Sequence, residues 1–338
     1  MVATGRCCVF LLSLFLLGAL SVSGQSTSIN LDVVVTAKSG PPVAGLGESD
    51  FTVFDNKAPA PLTSFHALGG TQEPVHAILV IDAVNTSYTS IAYQRDQIDN
   101  FLHANGGQLA QPTTLAFFSD QKTEIQEGFS TNGSELSSSL ENYTVALRTI
   151  RRSSQWEAND RFRLSINGLQ SIAQRIANLP GRKLIFWISP GWPLLSGPRI
   201  ELTGKQQDQL FASIVELSTN LRENRITVYN VNPIGPGEGV GRQFYYLDFA
   251  KGVSKPGQAQ IADLSLQVLA TQTGGLVLSG NNDVGAMLKQ CMEDSLAYYT
   301  LSFTGAKPDK RNEYHHIEVR VDKPGLTART RDGYYAQP

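Results

Sequence analysis

Polar side chains follow apolar segments of this sequence at positions where a parallel sheet would gather them. Asp82, Asn85 and Thr86 come directly after the apolar run 75–81, and a later apolar run ends in Ser189. In open α/β sheets, ligands bind at the carboxyl ends of the strands. An Asp at such a position can bind a ligand, or it can accept hydrogen bonds from the backbone amides of its own turn. The sequence leaves both interpretations of Asp82 open.

Aromatic residues in two predicted loops are candidates for contact with a protein partner. Trp192 follows the apolar run 183–189, and Phe244 and Tyr245 follow a Gly-rich segment at 235–241. Aromatic side chains that fill a partner's pocket often supply much of the binding energy at an interface. The Gly-rich segment itself indicates a flexible loop, because a dinucleotide-binding turn would lead directly into a helix.

The sequence contains no residue pattern that is typical of a hydrolase. It has neither a Gly-x-Ser-x-Gly nucleophile turn nor a His-Glu-x-x-His helix. His315 and His316 are adjacent on a predicted strand, so their side chains point to opposite faces and cannot bind one ion together. Cys291 lies on the apolar face of a predicted helix, which indicates a core position. We therefore expect no enzymatic activity, and a hydrolase with an unrecognised site is kept as an alternative.

Composition and the amino terminus limit the class of protein. Of the 338 residues, 41% are hydrophobic and 17% are charged, which is typical of a globular chain. Lys+Arg 28 against Asp+Glu 30 gives a net charge of −2, so there is no basic excess with which to bind nucleic acid. Residues 1–24 combine Arg6, the apolar run 9–20 and small residues at a cleavage site, which predicts a signal peptide. We expect an exported chain, periplasmic or extracellular, without a membrane span after the signal is removed.

Apolar periodicity predicts alternating strands and helices between residues 71 and 295. Strands are predicted at 75–81, 113–118, 183–189, 226–229 and 276–278, and helices near 91–102, 134–147, 162–179, 210–221, 260–272 and 283–294. This alternation is typical of a mainly parallel sheet with helices on both faces. The flanks 25–70 and 296–338 show β patterns without helices. Because a lone hairpin is marginally stable in water, we expect the two flanks to pair in one small β-rich unit.

Several of these segments together resemble a von Willebrand factor A domain. The resemblance rests on the strand-to-Asp turn that ends at Asp82, on Phe117-Phe118-Ser119-Asp120 after the next strand, and on 183–191 (KLIFWISPG). It covers roughly residues 71–295 and implies a Rossmann-like sheet with helices on both faces. The flanking segments 48–54 (ESDFTVF) and 298–334 are similar to a bacterial exported family described as VWFA-related.

The same resemblance implies a metal-ion-dependent adhesion site, in which an Asp-x-Ser-x-Ser loop and a later Asp hold Mg²⁺. Asp82 fills the first position of that loop and Thr86 the last, and Asn85 offers an additional oxygen. Val84 and Pro190, however, stand where oxygen ligands are expected. Mg²⁺ demands near-octahedral oxygen coordination and gives up its waters reluctantly. We therefore expect a degenerate site, doubtful Mg²⁺ binding and no other cofactor.

The function implied by the resemblance is that of an exported adhesion or interaction module that binds an unidentified protein. The expected partner contacts are Asn85, Ser189, Trp192, Phe244 and Tyr245. The alternative is a structural or assembly component of the cell envelope that acts through the β flank. Fold alone does not dictate function, so the side chains at the site must decide between these roles.

Overall fold

The computed structural model describes residues 27–38, 40–69, 72–142, 155–197, 200–234 and 244–337. The predicted signal peptide 1–24 and the Gly-rich segment 235–241 lie outside these residues, as does the end of the helix predicted at 134–147. Within the described part of the chain, no helix combines the length and the apolar character needed to cross a bilayer.

Strands and helices alternate through the middle of the chain, and strands alone occupy its two ends. The strands are β1 (Ser28–Ala37), β2 (Phe51–Asp55), β3 (Ala58–Pro59), β4 (Leu62–Leu68), β5 (Val75–Asp82), β6 (Gln108–Phe118), β7 (Thr123–Ile125), β8 (Ser130–Asn132), β9 (Arg182–Ile188), β10 (Ile226–Val231), β11 (Val277–Leu278), β12 (Tyr298–Thr304), β13 (Glu313–Val321), β14 (Leu326–Arg329) and β15 (Gly333–Ala336). The α-helices are α1 (Tyr88–His103), α2 (Gly133–Asn142), α3 (Gln155–Ile176), α4 (Gly204–Glu223), α5 (Leu266–Gln272) and α6 (Val284–Glu293).

A seven-stranded sheet forms the centre of the molecule. Its strand order is β11-β10-β9-β5-β6-β7, and β8 also pairs with β6. Five strands, β5, β6, β9, β10 and β11, pair with one another in parallel. The short strands β7 and β8 run antiparallel to β6. Every residue of β9 is buried, as expected for a strand covered on both faces. The predicted α/β architecture with a central, mainly parallel sheet is confirmed.

Helices cover both faces of this sheet. Apolar side chains of α3, α4 and α5 pack on one face, and those of α1, α2 and α6 pack on the other. Within β5, Ile78 and Val80 face the first layer, and Leu79 and Ile81 face the second. Successive side chains of a strand point to opposite faces, so the continuous apolar run 75–81 supplies both cores.

Strands from both ends of the chain form a second unit of two four-stranded sheets, ordered β14-β1-β12-β4 and β15-β13-β2-β3. The amino-terminal β1 lies between β12 and β14 and pairs antiparallel with both, and β2 pairs antiparallel with β13. Leu31, Phe51, Leu301 and Ile317 belong to one hydrophobic core that the two sheets share. We call this pair of sheets the β unit.

One predicted helix is divided in the structure, and several short strands were not predicted. The helix predicted at 260–272 is divided into a 3₁₀ turn, Ile261–Leu264, and α5, because the backbone at Ser265 is extended. The Asp263 carboxylate accepts a hydrogen bond from the Gln260 amide at 2.7 Å, and such a local bond competes with a continuous helix. Strands β3, β7, β8 and β15 are too short to give a periodic signal in the sequence.

Candidate functional site

The carboxyl ends of β5, β9 and β10 meet at one edge of the central sheet, which we call the crest. Ile81 pairs with Ile188, and Ile188 pairs with Val231, so the three strands end at the same level. Asp82 is the last residue of β5, and Ser189 directly follows β9. The sheet therefore brings two of the residues singled out in the sequence to the same edge.

Asp82 organises the turn between β5 and α1. Its Oδ1 accepts hydrogen bonds from the backbone amides of Val84 (2.9 Å) and Asn85 (2.8 Å). This is the Asx-turn arrangement, in which a short carboxylate satisfies the first amides after a strand. Ser87 then caps α1, since its side chain accepts a hydrogen bond from the Ser90 amide. One role of Asp82 is therefore to fix the path of the chain from strand to helix.

The second oxygen of Asp82 is also fully engaged. Its Oδ2 accepts hydrogen bonds from Asn85 Nδ2 and from the indole Nε1 of Trp187 on the neighbouring strand β9, both at 2.8 Å. The side chain has no solvent exposure, and this burial raises the pKa of Asp82, although the Trp187 and Asn85 hydrogen bonds act in the opposite direction. Four N–H donors thus surround a carboxylate that can accept about four.

Asn85 and Thr86 are buried beside Asp82. Asn85 Nδ2 also donates to the hydroxyl of Ser165 on α3 at 2.8 Å, which links the turn to a helix of the opposite layer from α1. The Asn85 Oδ1 and Thr86 Oγ1 atoms are buried without a hydrogen-bond partner among the described residues. The sequence indicated neither Trp187 as a polar contact nor Ser165 as a neighbour, because only the fold brings these residues to the Asp82 turn.

These side chains do not fit a Mg²⁺ ion. The only carboxylate of the loop is saturated by N–H donors, and the Trp187 indole places a donor where a cation would need an acceptor. The two buried oxygens of Asn85 and Thr86 carry no formal charge, and Mg²⁺ sites use carboxylates. Among the described residues, no group of three or more His, Cys, Asp or Glu side chains could hold a metal ion.

We expect calorimetric titration with Mg²⁺ or Mn²⁺ at millimolar concentrations to give no binding heat. Binding would require Asp82 to give up its bond to Trp187, so tryptophan fluorescence should also stay unchanged during the titration. A Kd in the micromolar range that is lost in Asp82→Asn, with the variant still folded, would contradict this. Exposed Asp208→Asn is the matched control.

The turn after β9 is held by its own internal hydrogen bonds. The buried Ser189 hydroxyl accepts from the Gly191 amide at 2.9 Å, and the Ser189 carbonyl accepts from Asn230 Nδ2 at 2.8 Å. Gly191 has φ +113°, and a Cβ there would lie 1.9 Å from Gln267 Nε2. Ser189 therefore lies at the crest as expected, but its side chain shapes the turn and does not face solvent.

Trp192 is buried, which differs from its expected role as an exposed anchor for a partner. Only 4% of the residue is exposed, and its ring packs edge-on against Trp187 with the centroids 5.0 Å apart. The loop turns back over the sheet after Gly191 and inserts the indole into the core that also holds Leu195. This correction removes Trp192 from the surface that a partner can touch.

Phe244 and Tyr245 are exposed, as a partner-binding role requires. Phe244 is 62% exposed, and Leu247, on the 3₁₀ turn Tyr245–Phe249 that follows it, is 48% exposed. Phe249 of this turn is buried with Ala262 and Val268, so the turn is attached to the molecule by a small core of its own. We call the three exposed side chains Phe244, Tyr245 and Leu247 the aromatic patch.

A groove of about 550 Å³ lies next to the aromatic patch. It is lined by the loop after β9, including Leu195, Ser196 and Ile200, and by the segment 257–261. Ser196 joins the two features, because its hydroxyl donates to the Tyr245 hydroxyl at 3.3 Å. The patch and the groove thus form one surface on the crest side of the molecule.

Comparison with known proteins identifies similar structures but no family. No protein-family model matches the chain, and no curated protein matches its sequence. A solved structure of proximal thread matrix protein 1 from the mussel byssus, with a zinc-occupied MIDAS motif, is similar over 72% of this chain and 50% of that chain, at 10% identity and a TM-score of 0.38. The chain therefore spans about half the length of the mussel protein.

Two further solved structures have similarly low sequence identities and TM-scores. The VWA domain of SpRpn10 is similar over 64% of this chain and 95% of that domain, at 11% identity and a TM-score of 0.28. The pilus adhesin SpaC from Lactobacillus rhamnosus GG is similar over 86% of this chain and 49% of that chain, at 9% identity and a TM-score of 0.37. Proteins with von Willebrand factor A domains are thus among the structures to which this chain is similar.

Proposed function

We propose that this chain is an exported, non-enzymatic protein-binding module of von Willebrand factor A type, which engages a protein partner at its crest without a metal ion. The observation that carries the proposal is the aromatic patch beside a groove. Phe244 and Leu247 expose large apolar side chains, and the groove offers a concave surface next to them. A projecting apolar cluster beside a concavity is a typical arrangement for recognition of a protein.

The support of the patch favours binding over a purely structural role for this loop. Tyr245 packs edge-on against the buried Phe249 with ring centroids 5.5 Å apart, and its hydroxyl is held by Ser196. Side chains that are ordered before binding lose less conformational entropy when a partner arrives. The patch is therefore prepared for contact, while Asp82 and Trp187 beneath the crest serve stability.

Charge argues for an apolar partner segment. Among the described residues that line the groove, one is acidic, Glu201, and none is Lys or Arg. Recognition of an acidic or nucleic-acid partner would use basic side chains at this surface. We infer that the partner supplies apolar or aromatic side chains that insert between the patch and the loop after β9.

The double variant Phe244→Ser, Leu247→Ser should lose partner capture and keep its thermal stability, since both side chains are exposed. We expect affinity to fall by about tenfold or more, as for residues at the centre of an interface. The measurement is capture from envelope extract of the native host by the immobilised chain, followed by titration of the identified protein in EDTA and in Mg²⁺. Leu296→Ser, at another exposed leucine, is the matched control.

Two outcomes would count against the proposal. If capture is unchanged in the double variant and is lost only when strands of the β unit are altered, the envelope-assembly role is favoured. If binding requires Mg²⁺ and disappears in EDTA, the crest works through a metal and the metal-free part of the proposal is wrong.

A further inference from the structure

A small cavity of about 10 Å³ lies between the central sheet and the β unit, away from the crest. Thr227 lines it near the beginning of β10, and β10 ends at the crest, so the cavity is at the opposite end of this strand. Asn30 and Asp32 of β1, Arg222 near the end of α4, and Arg331 in the connection from β14 to β15 also line it. Elements of both units therefore meet at this cavity.

Arg331 is a buried positive charge at the cavity, and its guanidinium has no ion-pair partner among the described residues. The residue is 8% exposed, and within the described part of the chain its guanidinium makes neither a hydrogen bond nor an ion pair. Burial and the charge of Arg222 lower the pKa of Arg331 to about 10, although the charges of Asp32 and Asp332 act in the opposite direction, and the group stays charged at neutral pH. An isolated buried charge is costly, so such groups are normally paired.

Arg222 adds a second charge that is only partly compensated. Its Nη2 donates to Glu223 at 2.8 Å, but the Glu223 side chain is 60% exposed, so the pair is weakened by solvent. The Nε of Arg222 is buried without a hydrogen-bond partner among the described residues. Two like charges thus border one small space, and each retains donors that are not used by the protein.

The nearby carboxylates do not neutralise this pair. Asp32 lines the cavity, but its two oxygens accept from Arg225 at 2.6 and 3.2 Å. Asp332, next in the chain to Arg331, has its pKa raised to about 6 by burial and is ionised at neutral pH, yet the described structure shows no ion pair between them. Three cationic residues, Arg222, Arg225 and Arg331, and one carboxylate, Asp32, line the cavity, so its lining carries a net positive charge.

We propose that the cavity binds a monatomic anion of the chloride class between Arg222 and Arg331. A cavity of about 10 Å³ has room for about one water-sized sphere, so a monatomic anion is the class of ligand that we name. An anion here would be hydrogen-bonded by guanidinium groups of two different elements, α4 and the β14–β15 connection. It would thereby tie the β unit to the central sheet.

The test is thermal unfolding of the whole secreted chain at constant ionic strength, with chloride replacing gluconate. We expect the Tm to rise by about 3 °C as chloride increases from about 10 to about 300 mM, because only the folded state binds the ion. Arg331→Gln should abolish the chloride dependence, and its Tm in gluconate should equal or exceed that of the unchanged chain. Broadening of the chloride-35 resonance by the protein, lost in Arg331→Gln, should report binding directly.

Arg311→Gln, at an exposed position, is the control and should keep the chloride response. Arg222→Gln is the second variant, and it should reduce the response even if Arg331→Gln does not fold. Equal Tm shifts in the unchanged chain and in both cavity variants would overturn the proposal. An unchanged chloride-35 linewidth would show that the cavity holds water alone and would also overturn it. Neither result depends on partner capture at the crest.

Discussion

Replacing Arg225 with methionine is expected to lower the free energy of unfolding by about 3–5 kcal/mol. Arg225 donates to both oxygens of Asp32, at 2.6 and 3.2 Å, and to both oxygens of Glu73, one of them at 2.9 Å. Asp32 lies on β1 and Glu73 just before β5, so one guanidinium joins the β unit to the central sheet. Its removal leaves two largely buried carboxylates without their main partner.

The effect should depend on pH in a defined direction. Burial raises the pKa of Asp32 and Glu73, but the charge and hydrogen bonds of Arg225 outweigh it and hold both below their usual values. Carboxylates with a lowered folded-state pKa contribute stability above the unfolded-state pKa of about 4, and this stability is lost as pH falls through the folded-state values. The difference between the unchanged chain and Arg225→Met should therefore shrink between pH 7 and pH 3.

Urea unfolding at several pH values provides the measurement. Arg320→Met is the matched control, because Arg320 pairs with Glu318 on the surface and lies over the Phe54 ring, and its loss should lower the unfolding midpoint far less. Adding Asp32→Asn and Glu73→Gln to Arg225→Met should recover part of the loss, since no buried charge then lacks a partner. A loss in Arg225→Met no larger than in Arg320→Met would show that the cluster contributes little.

Asp82→Asn should destabilise the chain by about 2–3 kcal/mol, although the side chains have nearly the same size. The asparagine amide must occupy one of the two oxygen positions, where it faces N–H donors either from the Val84 and Asn85 backbone or from Asn85 and Trp187. Donor then faces donor in a site without solvent exposure. The measurement is chemical unfolding, with exposed Asp208→Asn as the control.

A double-mutant cycle assigns this loss to the Asp82–Trp187 contact. Trp187→Phe removes the indole donor and keeps an aromatic ring, so the free-energy effects of Trp187→Phe and Asp82→Asn should be non-additive. Strict additivity would mean that the 2.8 Å hydrogen bond between Asp82 and Trp187 contributes no coupling. A neutral Asp82→Asn would show that the turn tolerates an amide, and the stabilising role argued for Asp82 would be wrong.

Sequence pattern determined the architecture because burial periodicity is a local property. The run 75–81 is apolar at every position apart from His76, and only a strand covered on both faces needs such a run. Leu169, Ile172 and Ile176 likewise lie on one side of α3 at helical spacing, and all three are buried. The short strands were not predicted, since partner strands that are distant in sequence fix them. The break at Ser265 was not predicted because apolar periodicity does not register the local hydrogen bond between Gln260 and Asp263.

Side-chain roles at the crest were decided by tertiary structure. Val84 and Pro190 led to the prediction from the sequence that two oxygen ligands of the expected site are missing. No local pattern, however, could show that Trp187 would donate to Asp82, or that Trp192 would fold back onto Trp187, because these contacts join separate strands and loops. Phe244, which the sequence placed in a loop, is exposed among the described residues.

The charged clusters likewise depend on tertiary structure and not on local sequence pattern. Asp32, Glu73 and Arg225 are far apart in sequence, as are Asp55, His315 and Tyr334, whose side chains form a buried hydrogen-bonded group in the β unit. A sequence shows each charge alone, and its partner depends on which strands become neighbours. Composition and periodicity therefore determined which elements form and which faces they bury, whereas the pairing of β1 with β12 and of β5 with β9 decided which polar groups meet.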